Sequence, residues 1–362
     1  MALLPFLVGL LTLALIYGLL ALALNLQFGV TGLLNFGHVA FFAVGAFASA
    51  IVTLPPPGSA AYLQAAAQYH VGLGLPVPVG FLLAGVAGGV LALLIGATSV
   101  RLSSHYLAVA TFAMAEIVRS VLTNADWLTG GEFGIASVPQ PLKNGAVPAS
   151  VYPYAYLAGT VLVVAALLAL TVRLTESPYG RALRSVRDDE TAARALGKPT
   201  PLLKLGAFVA GGVLAGFAGS LWTHSLGVVH VGQFVPIVTF EVWLAVLMGG
   251  SGNAFGAVLG ALVLMTITQG TRFLGDVPLL SGLTRSNPSF VPSLRFVLIG
   301  LLLIAVVRFF PRGILPERPR APGRGVRRGG AVPAGGSGDP PGHGAGTAPA
   351  AGARTDGGEE SP

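Results

Sequence analysis

Apolar residues in this chain arrive in runs long enough to cross a bilayer, and nothing else in the sequence restricts the fold as much. A spanning helix needs about 20 apolar residues. Runs of about that length lie near 5–24, 28–53, 79–98, 105–123, 155–172, 204–224 and 294–310. An eighth stretch, 237–270, is apolar but broken by Gly249-Gly250-Ser251-Gly252-Asn253, a cluster that favours a turn, so it reads as one bent element or two short ones. Only 10% of residues are charged and 53% are hydrophobic. Soluble domains carry about 25% charged residues, so too little polar surface exists to cover a water-soluble globule. The 51 glycines sit mostly inside the apolar runs, where close helix contact in lipid tolerates them. The expected fold class is all-α, a polytopic transmembrane helix bundle of about 8–10 spans.

Charge placement sets an expected topology. The net charge of +7 comes from basic residues gathered in one loop and the C-terminal tail. They are not interleaved with stacking aromatics, so nucleic acid is not an expected partner. The loop from Arg173 to Lys204 holds seven Lys/Arg, and both it and the tail from Arg308 onward should be cytoplasmic. An even number of crossings must separate them, so 237–270 should supply a pair of short spans or a re-entrant hairpin. Counting backwards puts Arg101 inside, with 54–78, 124–154 and the N-terminus outside. That makes about nine crossings unless 25–38 is itself re-entrant. Ala21-Leu22-Ala23 resembles a signal-peptidase site, but no Lys or Arg precedes the apolar run, which therefore reads as a first span.

Residues 1–315 are thus expected to form the membrane domain. Residues 316–362, rich in Pro, Gly, Ala and Arg, form an expected disordered cytoplasmic tail whose arginines can reach anionic lipid headgroups. Three-residue gaps between small residues at Gly85–Gly89, Gly212–Gly216 and Gly256–Gly260 predict close helix crossings. The stretches 82–96 and 208–221 look alike yet run oppositely in this topology, as an inverted repeat or a chance likeness of Gly, Ala and Leu would.

Several chemistries drop out. With no cysteine there is no disulfide, iron–sulfur cluster or thiolate nucleophile. No Gly-x4-Gly-Lys-Ser/Thr phosphate loop, spaced metal-ligand set or nucleophile with its base can be picked out, so neither an enzyme nor a metal or other cofactor is expected. Energy for any transport would come from a partner.

The most patterned polar stretch is the loop, ESPYGRALRSVRDDETAARALGKPTPLLK over 176–204. Ser177 before Pro178 makes an N-cap and first-turn proline, and Asp188-Asp189-Glu190 places acid at the start of a second helix. Gly197 stands at a C-terminal cap, with Pro199 and Pro201 preventing continuation. Two short helices meeting near Arg187 and Asp188 are expected.

SPYGRALRSVRDDETAARALG resembles the cytoplasmic loop of a known family, the permeases of branched-chain amino acid ABC transporters of the LivM-like type. The likeness spans roughly 7–315 and includes GLLNFGHVAFFAVGAFASA over Gly32–Ala50, Ala110–Arg119, Thr129–Gly134 and Phe240–Gly260. It implies a bacterial plasma-membrane importer with a homologous second permease subunit, two cytoplasmic ATP-binding subunits and an external or periplasmic solute-binding protein. Together they would carry leucine, isoleucine, valine or a related small amino acid by alternating access. The resemblance makes the loop the ATPase-docking site, with Ser177, Gly180, Arg181, Arg184, Arg187, Asp188, Asp189, Glu190, Ala192, Ala193 and Gly197 as its candidate residues. ABC importers carry Glu-Ala-Ala, three residues, then Gly at this place. Ala192, Ala193 and Gly197 match, whereas Thr191 replaces the Glu and Glu190 stands one residue early. Arg181, Arg184, Arg187 and Arg194 can pair with acidic groups around a groove that receives the helix. A loop that only fixes topology is the plainer reading.

Polar residues inside the apolar runs are the second set of candidates, because they are costly unless paired or facing a cavity. Asn35 and His38, flanking Gly37, line a path, break a helix or bond between helices; His38 has no ligand partner at helical spacing. Glu116 and Arg119 lie on one helix face and form a salt bridge or contact a zwitterionic substrate. Glu241 has no charge within a helical turn and needs a partner from elsewhere. His224 and Arg272 mark helix ends at the interface. Two other readings stay open: a urea or short-amide permease of the same kind, and an ion-coupled secondary transporter using Glu116 or Glu241.

Overall fold

The computed structural model describes residues 3–59, 71–141, 148–270, 290–309 and 313–317. The long helices are α1 (Leu3–Asn25, continued by a π-helical turn over Leu26–Val30), α2 (His38–Thr53), α3 (Val77–Ser99) and α4 (Ser104–Asn124). A single turn, α5 (Asp126–Thr129), precedes α6 (Tyr152–Glu176). The loop helices are α7 (Pro178–Asp188) and α8 (Glu190–Ala195). They lead into α9 (Thr200–Leu226), α10 (Pro236–Gly249), α11 (Ala254–Gly270) and α12 (Phe290–Phe309). Two-residue strands, β1 (Ile135–Ala136) and β2 (Val228–Val229), are the sheet among the described residues. Six helical segments are long and apolar enough to cross a membrane, and α2 and α11 are shorter apolar ones. The chain divides after Arg318; of the expected disordered tail, Pro316 and Glu317 are described and belong to the first unit, Glu317 bonded to Arg184 and Arg187, and the rest lies outside the described residues, as does Arg272.

Hydrogen bonds show which helix ends lie together. At one end β1 pairs antiparallel with β2, joining the chain after α4 to the end of α9. At the other, Arg187 Nη1 donates to the Gly29 carbonyl, Gly252 N donates to Asn25 Oδ1 at 2.8 Å, and Leu315 N donates to the Gly249 carbonyl at 2.9 Å. The end of α1, the loop helices, the α10–α11 turn and the chain after α12 therefore gather at one end of the bundle. Because α10 leaves β2 and finishes in that cluster, 237–270 is an antiparallel pair and not one bent span.

The run 28–53 is not one helix. Residues 31–37 leave helical geometry, and the break has physical causes on both sides. Gly32 sits at φ +80°, a conformation that glycine adopts without steric penalty. The polar groups released by the break are then bonded inside the bundle, as they must be away from water: Leu33 N to the Gln27 carbonyl at 2.9 Å, Phe36 N to Thr111 Oγ1 at 3.1 Å and Val39 N to Thr239 Oγ1 at 3.2 Å.

Between helices the small residues do what their spacing predicts. A Cβ on Gly88 would strike the Gly212 carbonyl, and one on Gly216 the Ala84 carbonyl, so α3 and α9 cross backbone to backbone. Gly45 of α2 meets Gly216 from another side, and Gly260 of α11 faces the Ala245 carbonyl of α10. The 82–96 and 208–221 segments are thus antiparallel neighbours. Outward from this core, α3 exposes Leu82, Val86, Val90 and Leu94, an apolar face suited to lipid. Gly216→Leu should destabilise the detergent-solubilised protein by about 1–3 kcal/mol through overpacking. Gly159→Leu, where nothing lies within 4 Å, should leave the thermal unfolding midpoint unchanged.

Candidate functional site

The loop helices are built by local rules and then tied to the bundle. Ser177 caps α7, its Oγ donating to the Leu174 carbonyl at 2.6 Å and accepting from Gly180 N at 3.4 Å. Gly180 lies against the Thr175 carbonyl, where a Cβ does not fit. Leu183 and Val186 bury one face of α7. Asp189, not Asp188, caps α8, its Oδ1 accepting from Ala192 N at 2.9 Å, and Gly197 follows at φ +75°. In α8 Ala193 is buried, while Thr191, Ala192, Ala195 and Leu196 are exposed, Leu196 by 78%. That presents a small apolar knob at the end where the helices gather.

The charges of the loop are mostly engaged within the chain. Glu190 accepts from Arg194 Nη2 at 2.9 Å and Thr200 Oγ1 at 3.3 Å and pairs closely with Lys204, anchoring α8 to the start of α9. Burial pushes its carboxyl up, but Lys204, Thr200 and Arg194 outweigh this and hold it below the usual carboxylate range. Two of the four arginines are bonded within the chain to one carboxylate. Arg184 Nε and Arg187 Nη1 both reach Glu317, each at 2.8 Å, and Arg184 Nη1 donates to the Thr175 carbonyl at 2.9 Å. Burial opposes the charge of Arg187, but Glu317 and Asp188 hold its pKa above the ordinary value. Arg181 of α7 and Arg194 of α8 stay exposed.

The polar residues within the spans fall into two groups. Asn35 is fully buried at the break: its Nδ2 donates to Gln27 Oε1 at 2.8 Å, its Oδ1 accepts from Gly37 N at 2.9 Å, and its carbonyl accepts from Trp243 Nε1 at 3.0 Å. Gln27 in turn donates to the Phe208 carbonyl at 2.8 Å, and Trp243 stacks on Phe36 with centroids 5.0 Å apart. His38 begins α2, buried, with Nε2 3.2 Å from the Leu20 carbonyl and its ring edge-on to Phe41. Glu241 is buried on α10. In contrast, Glu116 and Arg119 form their expected ion pair, at 2.9 Å, on the outward face of α4, where Tyr106, Val109, Ile117 and Val121 are also exposed. His224 corrects another expectation. It does sit at a helix end but is buried, with Nδ1 2.7 Å from the Pro139 carbonyl and Nε2 3.0 Å from Ser49 Oγ. No group of three or more His, Cys, Asp or Glu among the described residues could hold a metal.

Gln27, Lys204, Leu196 and Glu317 were missed from the sequence. Gln27 lay in an apolar run and could have been noticed as its polar exception. Glu317 sits about 130 residues from its arginines in a Pro- and Arg-rich stretch and carries no pattern that could have revealed the contact.

A helix bundle with six spans long and apolar enough to cross a membrane, carrying a capped, charge-anchored helical pair at one end, is a multi-pass membrane protein. The chain belongs to the family described as branched-chain amino acid transport system / permease component, which matches residues 6–307. This bears out the resemblance seen at the loop. It is 30% identical over 332 residues to the high-affinity branched-chain amino acid transport system permease protein LivM of Escherichia coli K12, covering 85% of this chain and 70% of that protein. It is 28% identical to the probable LivM of Methanocaldococcus jannaschii (84% and 91% covered) and 25% identical to LivH of Salmonella typhimurium (84% and 92%). No solved structure matches the chain.

Asp189→Ala should cost α8 about 1 kcal/mol, as loss of an N-cap does, read as reduced hydrogen-exchange protection over 190–196, and Asp189→Ser should retain it. The folded Glu190 carboxyl binds its proton less readily than the unfolded one. Its contribution is therefore full above the ordinary carboxylate pKa and is lost as pH falls through the lower folded value. After correction for intrinsic exchange, the same amides should keep their protection down to pH about 4.5 and lose it below, and Glu190→Gln should remove that pH dependence.

Proposed function

We propose that this chain is one of two homologous permease subunits of an ATP-driven importer of branched-chain or related small amino acids in the bacterial plasma membrane. Two cytoplasmic ATP-binding subunits supply the energy, and an external solute-binding protein delivers the cargo. The observation that carries this reading is the α7–α8 pair. It is capped at both helix starts, fastened to α9 by Glu190–Lys204, and it exposes Thr191, Ala192, Ala195 and Leu196. A small apolar helix face of this kind seats in a groove of a partner. With that end cytoplasmic by its charge, the β1–β2 end and the N-terminus are external, and the tail is cytoplasmic.

In this scheme, closure of the ATP-binding subunits pushes α8 and α7 against the ends of α1 and α6, and the bundle moves between two pre-existing arrangements as packed bodies. Asn35 and His38 hold the non-helical break, with Trp243 and buried Glu241 behind it, so that movement of α1 is passed to α2. Glu116 and Arg119 on the outward face of α4 are costly against lipid. That cost supports a second permease subunit covering this face, with the two charges available to a zwitterionic amino acid. Reversing the exposed charges (Arg181→Glu with Arg194→Glu) and replacing Leu196 by Asp should abolish co-purification of the ATP-binding subunits in mild detergent. Unchanged assembly would sink the docking role.

A further inference from the structure

Five separate parts of the chain meet at one carboxylate. Glu317 Oε1 accepts from Arg184 Nε and Oε2 from Arg187 Nη1, both at 2.8 Å. Arg184 also holds the carbonyl of Thr175 at the end of α6, and Arg187 holds the carbonyl of Gly29 at the end of α1. Glu317 Oε2 lies so close to Gly252 in the α10–α11 turn that a Cβ there would sit 2.7 Å away, and Gly252 already occupies φ +85°. The segment bearing Glu317 is itself fastened down: Ile314 N donates to the Met248 carbonyl at 2.8 Å, Leu315 N to the Gly249 carbonyl at 2.9 Å, and Asn253 Nδ2 to the Leu315 carbonyl at 3.2 Å. Gly313 packs backbone to backbone on Gly250.

The charge arithmetic makes the contact directional. Two arginines on one face of α7 would repel each other if left alone at that spacing, and each is largely covered, with side-chain exposures of 18% and 25%. One carboxylate with two oxygens satisfies both and has a fixed anchor behind it. The strap over 313–317 therefore gives α7 a defined seat on the bundle at the point where α1, α6 and the α10–α11 turn converge.

We propose that Glu317 is a positioning residue for the coupling loop: by bridging Arg184 and Arg187 it makes α7 move as one body with the ends of α1 and the α10–α11 turn. The effect on coupling rests on the reading of α7–α8 as the ATPase-docking element; the effect on the position of α7 does not. Without the carboxylate α8 still reaches its partner, but the push is taken up by α7 sliding on the bundle.

The test uses the full complex reconstituted in liposomes. The chain lacks cysteine, so spin labels on introduced cysteines at Pro178, in the first turn of α7, and Phe255, both exposed, report the distance from α7 to the start of α11 without background. Glu317→Gln and Glu317→Ala should broaden that distance distribution. They should also lower transport per ATP hydrolysed by about fivefold or more, the lower end of typical coupling factors, while the ATP-binding subunits stay bound. Glu317→Asp should restore part of both. Ending the chain after Glu317 should leave both readouts as in the parent, and ending it after Arg312 should reproduce Glu317→Ala. A wild-type distance distribution in Glu317→Gln overturns the proposal, and so does a wild-type transport ratio when the ATP-binding subunits are present. If the parent chain binds no such subunits, the proposed function fails, and the label distance alone decides the role of Glu317.

Discussion

Lipid tails compete on equal terms with side chains for apolar contact, so helices in a membrane are held together by close packing and by hydrogen bonds, not by exclusion from water. The structure rests on that constraint at the meeting of α2, α3 and α9. Gly45, Gly88, Gly212 and Gly216 bring the three backbones to distances that no side chain would permit. Two further helices are fastened to α9 by hydrogen bonds. α1 lies along α9 through Gln27, whose amide bonds the Phe208 carbonyl, and α6 joins through the Tyr156 hydroxyl, which donates to the Leu221 carbonyl at 2.6 Å.

The same constraint explains why the polar residues of the interior are where they are. A chain that leaves helical geometry at membrane depth must satisfy its freed amides and carbonyls internally. Asn35, Gln27, Thr111, Thr239 and Trp243 supply those bonds around the break between α1 and α2. The break is thereby a fixed joint and not a frayed end. It sits one layer above the seat of α7, with Gly29 and Gly32 on the loop side and His38 on the core side. Arg187 of α7 touches this segment directly, bonded to the Gly29 carbonyl and lying against Gly32.

The loop itself shows how charge is divided between internal anchoring and outward display. Glu190 and Lys204 fix α8 to α9, and Glu317 fixes α7 to the bundle, leaving Leu196, Ala192 and Ala195 outward with Arg181 and Arg194 at the edges. The one-residue displacement of the acidic position relative to the family pattern is intelligible in this light. Glu190 lies where it reaches Lys204, Arg194 and Thr200, so its acid belongs to the anchoring of the helix and not to its outward face.

Much of this was legible in the residues. The helical membrane fold, the break of 237–270 into two, the caps at Ser177, Gly197 and the Asp188–Asp189 step, the small-residue crossings and the Glu116–Arg119 pair all follow from local physics: apolar length, capping chemistry, three-residue spacing and the facing of neighbours on one helix turn. The break within 28–53 is one of the readings its polar residues left open; hydropathy alone does not show it, because it continues across the break while the hydrogen bonding does not. The pairing of Arg184 and Arg187 with Glu317 was not legible, because a sequence shows that a charge exists but not what lies opposite it. The sequence by itself determined a membrane bundle with a structured basic loop, since bilayer thickness and backbone satisfaction act on contiguous residues. Only the tertiary structure decided which polar groups are anchors and which face outward, because Gln27, Asn35, Glu190 and Glu317 take their partners from helices that are distant along the chain and adjacent only once the glycine crossings have formed.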